Sequence, residues 1–328
     1  MHIQELPNFD DVLDAQKKLL GKAVKTPLLE NAALNELTGG RIFLKSEVQQ
    51  HTGSFKFRGA YNFICRLNSQ QKKQGLISYS SGNHAQGVAY AAKLLGVKAT
   101  IIMPSDAPVI KINNTRGFGA EVILYDRFNE DREVIGNQII AKTNAILIPP
   151  YDHPYIIGGQ GTCGLEIIEQ VKEHGIQLDA AVICCGGGGL TSGSALAIKK
   201  LSPQTKVYSA EPKGFDDTAR SISTGRRESV SPEARSICDA VLTPTPGEIT
   251  FAINRELIEK GLVVSDDEVR RAVSFAFNTL KLVVEPGGAV ALAAIIYQRI
   301  KTRKKAIALT LSGGNVDPSR FIECLEGN

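Results

Sequence analysis

The sequence predicts an α/β protein with parallel sheets, helices on both faces and two lobes. Three observations predict it. Short apolar or β-branched segments alternate with helical patterns for most of the length. Gly, Pro and polar residues stand at the ends of these segments, where the chain must turn. The 328 residues also exceed what one compact core usually holds.

The strand candidates, in order, are Ile42–Leu44, Leu76–Tyr79, Thr100–Met103, Glu121–Leu124, Ala181–Cys184, Val207–Ala210 and Ala306–Leu311. Each is short, apolar or β-branched, and bounded by turn-forming or polar residues. Helical patterns lie between them. His84–Leu95 is stopped by Gly96, and Gly164–His174 by Gly175. A third, Ser192–Leu201, follows a glycine run. The unit from about Gly75 to Pro150 carries its own strand–helix pairs. The expected division is a large domain from 1–70 and 153–328, with a small domain of 71–152 inserted in it.

Composition narrows the function. Apolar residues make up 43% and charged residues 22%, as in ordinary globular proteins. The net charge is only +4, and the basic runs Lys72-Lys73 and Arg303-Lys304-Lys305 are short and lack interleaved aromatics. Nucleic acid is not an expected partner. The N-terminal stretch Met1–Leu20 is acidic and amphipathic rather than a signal peptide, and no window is long and apolar enough to span a bilayer. The six cysteines show no CxxC pair or disulfide-like spacing, which fits reduced thiols and a cytoplasmic setting. Cys184-Cys185 reads as buried strand packing.

Four segments carry the chemistry. In Thr52-Gly53-Ser54-Phe55-Lys56-Phe57-Arg58-Gly59-Ala60, Ser54 is the expected N-cap of a helix. Lys56 then falls in the first turn between two phenylalanines. Apolar flanks and the positive helix end both disfavour an ammonium, which suits a lysine that must react as a neutral amine. Read alone, this segment fits a surface lysine packed on aromatics better. In Cys184-Cys185-Gly186-Gly187-Gly188-Gly189-Leu190-Thr191 the glycines lie between a strand and a helix, a setting that cradles a phosphate. The Gly-Lys-Ser/Thr ending of a nucleoside triphosphate loop is missing. Ser80-Ser81-Gly82-Asn83-His84 follows a strand and opens a helix. Its N–H groups suit a carboxylate, and the Ser81 hydroxyl suits proton transfer, although simple capping by Ser and Asn explains the loop as well. His84 reads as structural. Ser312 in Leu311-Ser312-Gly313-Gly314-Asn315 follows the last strand, at the crevice where α/β proteins bind ligands, though a plain turn accounts for it too. Gly159–Gly164 matches GxGxxG formally. It lacks the preceding strand and the later acidic residue of a dinucleotide site.

In this order, SFKFRGA, SSGNHAQG, CGGGGL and LSGGN resemble the motifs of fold-type-II pyridoxal phosphate enzymes, whose fold is like that of the tryptophan synthase β chain. The subgroup they resemble is the serine/threonine dehydratases and serine racemases. The likeness runs from about Thr26-Pro27 to Asp317. It implies pyridoxal 5'-phosphate as cofactor and Lys56 as its Schiff-base lysine and α-proton base. It implies Asn83 at the ring hydroxyl, Gly186, Gly187, Gly188 and Gly189 at the phosphate, and Ser312 at the ring nitrogen. Ser80, Ser81, Gly82, Asn83 and His84 then form the substrate loop, with Ser81 in the place of the racemases' second acid/base.

The resemblance also implies a divalent-cation site, for Mg²⁺, Ca²⁺ or Mn²⁺, made by Glu211 and Asp217 with the Phe215 carbonyl. Without it, these acids read as an exposed acidic turn. The expected reaction is β-elimination of L-threonine or L-serine to a 2-oxo acid and ammonia. Serine racemase and 3-hydroxyaspartate dehydratase are the alternatives, and one protein can combine them. Ser81 favours those alternatives, whereas Pro150-Tyr151-Asp152-His153-Pro154 looks like the dehydratase segment. Asn31-Ala32 and His51 depart from racemases that respond to ATP. No feedback domain is expected after Asn328. A homodimer is expected by resemblance only. A cysteine-synthase-like enzyme or a non-enzymatic binding module fits these motifs less well.

Overall fold

A computed structural model of the chain describes residues 6–326. Met1–Glu5 of the amphipathic N-terminal stretch lie outside the described residues. The remainder of that stretch forms the helix Phe9–Leu19, capped by Asn8 and Asp11 in a reciprocal capping box.

There are two sheets among the described residues. The larger contains β1 (Leu28–Glu30), β2 (Arg41–Ser46), β7 (Ala180–Cys184), β8 (Lys206–Pro212), β9 (Lys260–Val264) and β10 (Ala306–Leu311). Its order is β1-β2-β10-β7-β8-β9, parallel apart from the antiparallel pairing of β1 with β2. The smaller contains β3 (Leu76–Tyr79), β4 (Ala99–Pro104), β5 (Glu121–Tyr125) and β6 (Ile146–Leu147), all parallel in the order β5-β4-β3-β6. The smaller sheet is therefore built from one continuous stretch of chain, and the larger from the segments on either side.

Every strand candidate read from the sequence is present. β1, β6 and β9 were not legible. β1 and β6 hold too few residues to show a period. β9 is an edge strand opening on Lys260-Gly261, residues that are poor in sheets.

The main core lies against the larger sheet. The helix Pro286–Ile296 is apolar all round, and the residues from Pro286 to Ile295 are buried. A helix of this kind belongs inside a protein. The helix expected from Gly164 begins ten residues earlier and spans Pro154–Glu173. The GxGxxG match sits inside it, fully buried, so it is not a phosphate loop. Those glycines let two helices touch. A Cβ on Gly164 would lie 2.5 Å from Ser194 Cα on the helix Gly189–Leu201. Glycine's low helix propensity hid this helix in the sequence, while tertiary packing demands the glycine.

Candidate active site

Lys56 is the first residue of the helix Lys56–Ile64. Ser54 does not cap that helix. Its backbone is extended and bridges to Gly313 in antiparallel fashion, and Phe55 N donates to Ser312 O at 3.2 Å. Pairing with the end of β10 wins over capping, and it brings the lysine segment to the end of the central strands. The Ser54 hydroxyl is left buried without a partner.

The turn is also anchored from behind. Arg58 donates to Glu47 Oε2 at 2.8 Å and to Glu166 Oε1 at 2.7 Å, and Lys45 Nζ donates to Glu166 Oε2 at 2.6 Å. Arg58, Glu47 and Lys45 are fully buried. Arg58 stands in the motif read from sequence, but its partners lie 11 and 108 positions away and left no local signal.

Lys56 itself opens into a cavity. Its Nζ donates to the Pro150 carbonyl at 2.8 Å and lies 5.3 Å from the Phe55 ring centroid. Burial pulls its pKa down to about 8, so the neutral amine is accessible near physiological pH. The same cavity, of about 490 Å³, is lined by Ser80, Ser81, Gly82, Asn83, His84, Gly186, Gly187, Gly188, Gly189 and Ser312. Segments separated by up to 256 positions in the chain thus converge on one space at the ends of parallel strands.

The glycine run leaves β7 and enters the helix Gly189–Leu201. Gly188 is the cap residue, at φ 92, with no side-chain capping bond. The N–H groups of the first turn are therefore available to an anion. Glycine is required at two of these positions for different reasons. Gly188 has a left-handed backbone. A Cβ on Gly187 would lie 2.4 Å from the Tyr151 ring. Tyr151 is held there by its neighbour. Asp152 accepts from the N–H groups of Glu248, Ile249 and Thr250, capping the helix Glu248–Leu257.

The segment 80–84 opens the helix Asn83–Leu95, whose start also lacks a side-chain cap. Ser80 and Asn83 are therefore not caps, and the first-turn N–H groups point to the cavity end. Asn83 donates to Glu285 Oε1, and its Oδ1 accepts from Asn315 Nδ2 at 2.8 Å. His84 is buried with Nε2 donating to Ile148 O at 3.1 Å, and burial pulls its pKa down to about 3. It is neutral throughout the working range, which suits a structural histidine. Cys184 and Cys185 are buried free thiols at the end of β7, as strand packing requires.

Glu211 and Asp217 lie apart from this cavity. They do not form an exposed acidic turn, because both are buried. Glu211 ends in two backbone donors, Thr218 N at 2.9 Å and Ala219 N at 2.8 Å. Both Asp217 oxygens are buried without a hydrogen-bond partner. Burial pushes Asp217 up to about 7, and burial together with Asp217 pushes Glu211 well above the carboxylate range. Phe215 closes the turn between them, its N–H donating to Pro212 O at 3.0 Å. No set of three or more His, Cys, Asp and Glu side chains converges among the described residues. A cation here would need backbone oxygens to complete its shell.

A family profile described as "Pyridoxal-phosphate dependent enzyme" matches residues 20–313. The chain belongs to this family of pyridoxal-phosphate dependent enzymes. It is 43% identical to the L-threo-3-hydroxyaspartate ammonia-lyase of Saccharomyces cerevisiae, over 98% of this chain and 97% of that one. It is 41% identical to the serine racemase of Schizosaccharomyces pombe, over 98% of each chain. Among solved structures, the serine racemase of maize is similar with a TM-score of 0.91 and 35% identity, covering 97% of each chain. The pyridoxal-phosphate dependent enzyme described here is accordingly related to ammonia-lyases and racemases of amino acids.

The cavity fits the cofactor of the family. It offers an amine whose charge is disfavoured, a turn of four glycines with uncapped helix N–H groups, and the Ser312 hydroxyl. Sequence reading missed other residues of the cavity wall. Lys111, Arg132, Asp239 and Arg227 also line it. Lys111 and Asp239 are lone charges in their segments, Arg132 and Arg227 sit in charged runs that read as solvated surface, and only folding brings the four together.

Proposed function

We propose that this protein is an ammonia-lyase that converts L-threonine or L-serine to a 2-oxo acid and ammonia. The observation that carries the reading is the meeting of Lys56, Asn83, Ser312 and the glycine run in one cavity. Lys56 would hold the cofactor through its amine. Gly186, Gly187, Gly188 and Gly189 would hold its phosphate, Asn83 its ring hydroxyl and Ser312 its ring nitrogen. The cofactor, when bound, withdraws electrons from the substrate's α-carbon.

The protein's own groups do the rest. Ser80, Ser81, Gly82, Asn83 and His84 would offer N–H groups at a helix start to the substrate carboxylate. Lys56, once free, is the base that removes the α-proton, and a pKa near 8 suits that work. The β-hydroxyl would leave as water, taking up one proton for the one removed from the α-carbon, and hydrolysis of the remaining enamine would release the 2-oxo acid and ammonia. Ser312 would be a neutral partner for the ring nitrogen and would not force a proton onto it, which would favour prompt elimination. Ser81 is the hydroxyl that would carry a second proton, as racemisation requires.

A second reading, elimination from 3-hydroxyaspartate, is favoured by Arg132. This arginine lines the cavity, lies 5.3 Å from the Tyr79 ring and enters no salt bridge among the described residues. A free cation at the cavity wall suits a substrate with a second carboxylate. The relative named L-threo-3-hydroxyaspartate ammonia-lyase supports the same reading.

The proposal includes a divalent cation on Glu211, Asp217 and the Phe215 carbonyl, supported by the unpartnered Asp217 carboxylate. It also includes a homodimer, a cytoplasmic setting and a small domain at 71–152. The test is a product assay on L-threonine, L-serine, D-serine and the 3-hydroxyaspartate stereoisomers, with and without Mg²⁺. Ammonia from L-threonine and L-serine is expected. Ammonia from 3-hydroxyaspartate alone would replace the first reading by the second.

A further inference from the structure

Lys111 has no part in the roles assigned above. It lies on the helix Val109–Gly117, between β4 and β5 of the smaller sheet. Its side chain is 1% exposed. A lysine buried this deeply must be paired. Its Nζ donates to Asp239 Oδ2 at 2.6 Å and to Glu285 Oε2 at 2.9 Å. Asp239 starts the turn Asp239–Val241, and Glu285 immediately precedes the helix Pro286–Ile296, both on the larger sheet's side of the molecule. One ammonium thus joins elements of both sheets at the wall of the cofactor cavity. The two carboxylates push its pKa up against the effect of burial, so it is charged at any working pH.

The other oxygen of Glu285 faces the site. Glu285 Oε1 accepts from Asn83 Nδ2, Asn83 Oδ1 accepts from Asn315 Nδ2, and Asn315 Nδ2 also donates to Thr52 O at 2.7 Å. A carboxylate can only accept. The Asn83 amide must therefore turn its NH₂ to Glu285 and its oxygen away. A protonated Glu285 would be free to donate, and the amide would lose that constraint. Burial pushes the Glu285 carboxyl up, and Lys111 is the charge that opposes it.

We propose that Lys111 is a positioning residue: it clamps the two sheets' elements together across the cavity and, through Glu285, dictates which way the Asn83 amide points. The proposal rests on the reading of Asn83 as a cofactor contact. Its reach is testable without turnover. The measurements are the affinity of the apoprotein for pyridoxal phosphate, the visible band of the bound cofactor, and the thermal midpoint of the apoprotein.

Lys111→Met leaves Glu285 buried and uncompensated. Cofactor affinity should fall on the order of tenfold or more, and the visible band should shift. The double variant Lys111→Met/Glu285→Gln has no fully buried uncompensated charge, only the part-exposed Asp239 carboxylate left without its partner, so it should regain most of the native thermal midpoint. Its glutamine can present either end to Asn83, so affinity should stay low and the band should stay shifted. Native affinity and an unmoved band in either folded variant would overturn the proposal, whatever the thermal midpoint does. Failure of both variants to fold would assign the pair to stability alone and overturn it as well. Wild-type protein that forms no visible band would sink the Lys56 reading, and this proposal with it.

Discussion

A lysine amine reacts only when it has lost its proton, so the state of Lys56 governs everything at its site. The folded protein holds it at about 8, below the ordinary 10.5, because burial disfavours the charge. The folded chain therefore binds fewer protons here than the unfolded chain between those two values. The neutral fraction grows about tenfold per pH unit below 8 and saturates above it. Uptake of pyridoxal phosphate by the apoprotein, followed by its visible absorbance, should rise with pH to about 8 and then level. Lys56→Ala should abolish that band and ammonia release; turnover without the lysine would refute the assignment. Ser81 gives a separate test. Ser81→Ala should remove racemisation of serine while elimination of the L-isomer persists. Equal loss of both would make Ser81 a carboxylate-binding or structural residue.

Two helices beside the cavity come together where a side chain is missing. The helices Pro154–Glu173 and Gly189–Leu201 meet at Gly164, and the second of them begins at the last glycine of the run. Their separation sets where the glycine turn sits, the turn proposed to hold the phosphate. Gly164→Val would drive its Cβ to within 2.5 Å of Ser194 Cα, which is backbone and cannot rotate away. The helices must separate, at a cost of roughly 1–3 kcal/mol or more, as overpacking generally does. Urea unfolding should show that loss, and cofactor affinity should fall with it. An unchanged midpoint would mean that the helix pair relaxes freely. The Asp152 cap on the helix Glu248–Leu257 acts at the same scale, because it holds the Tyr151 ring against Gly187 and the Tyr151 backbone against Gly189.

For the molecule as a whole, buried charge is the recurring device. Arg58, Glu47, Glu166 and Lys45 neutralise one another behind Lys56, and Lys111 pairs with carboxylates between the two sheets. Glu211 and Asp217 lack such a partner among the described residues. Two adjacent buried carboxylates without a cation weaken the fold. Mg²⁺, Ca²⁺ or Mn²⁺ should therefore raise the thermal midpoint, with about 2.7 kcal/mol gained when the free ion is at a hundred times its Kd. Asp217→Asn should abolish that gain. A midpoint indifferent to all three ions, and to chelator, would remove the cation from the proposal.

By itself, the sequence determined the α/β class, the strands of strongest apolar character, and the four motifs that meet in the cavity. These are local properties. A short β-branched run, a glycine run between a strand and a helix, or a lysine between phenylalanines is written in neighbouring residues, and the order of the motifs made their chemistry legible. Only the tertiary structure decided what surrounds them. Ser54 pairs with Gly313 instead of capping a helix, the GxGxxG stretch is a packing surface, and Glu211 and Asp217 are buried rather than exposed. Lys111 meets Glu285 across 174 positions of chain. No periodicity or spacing records a partner that distant, because the energy of a buried charge depends on what folds against it and not on what stands beside it in the chain.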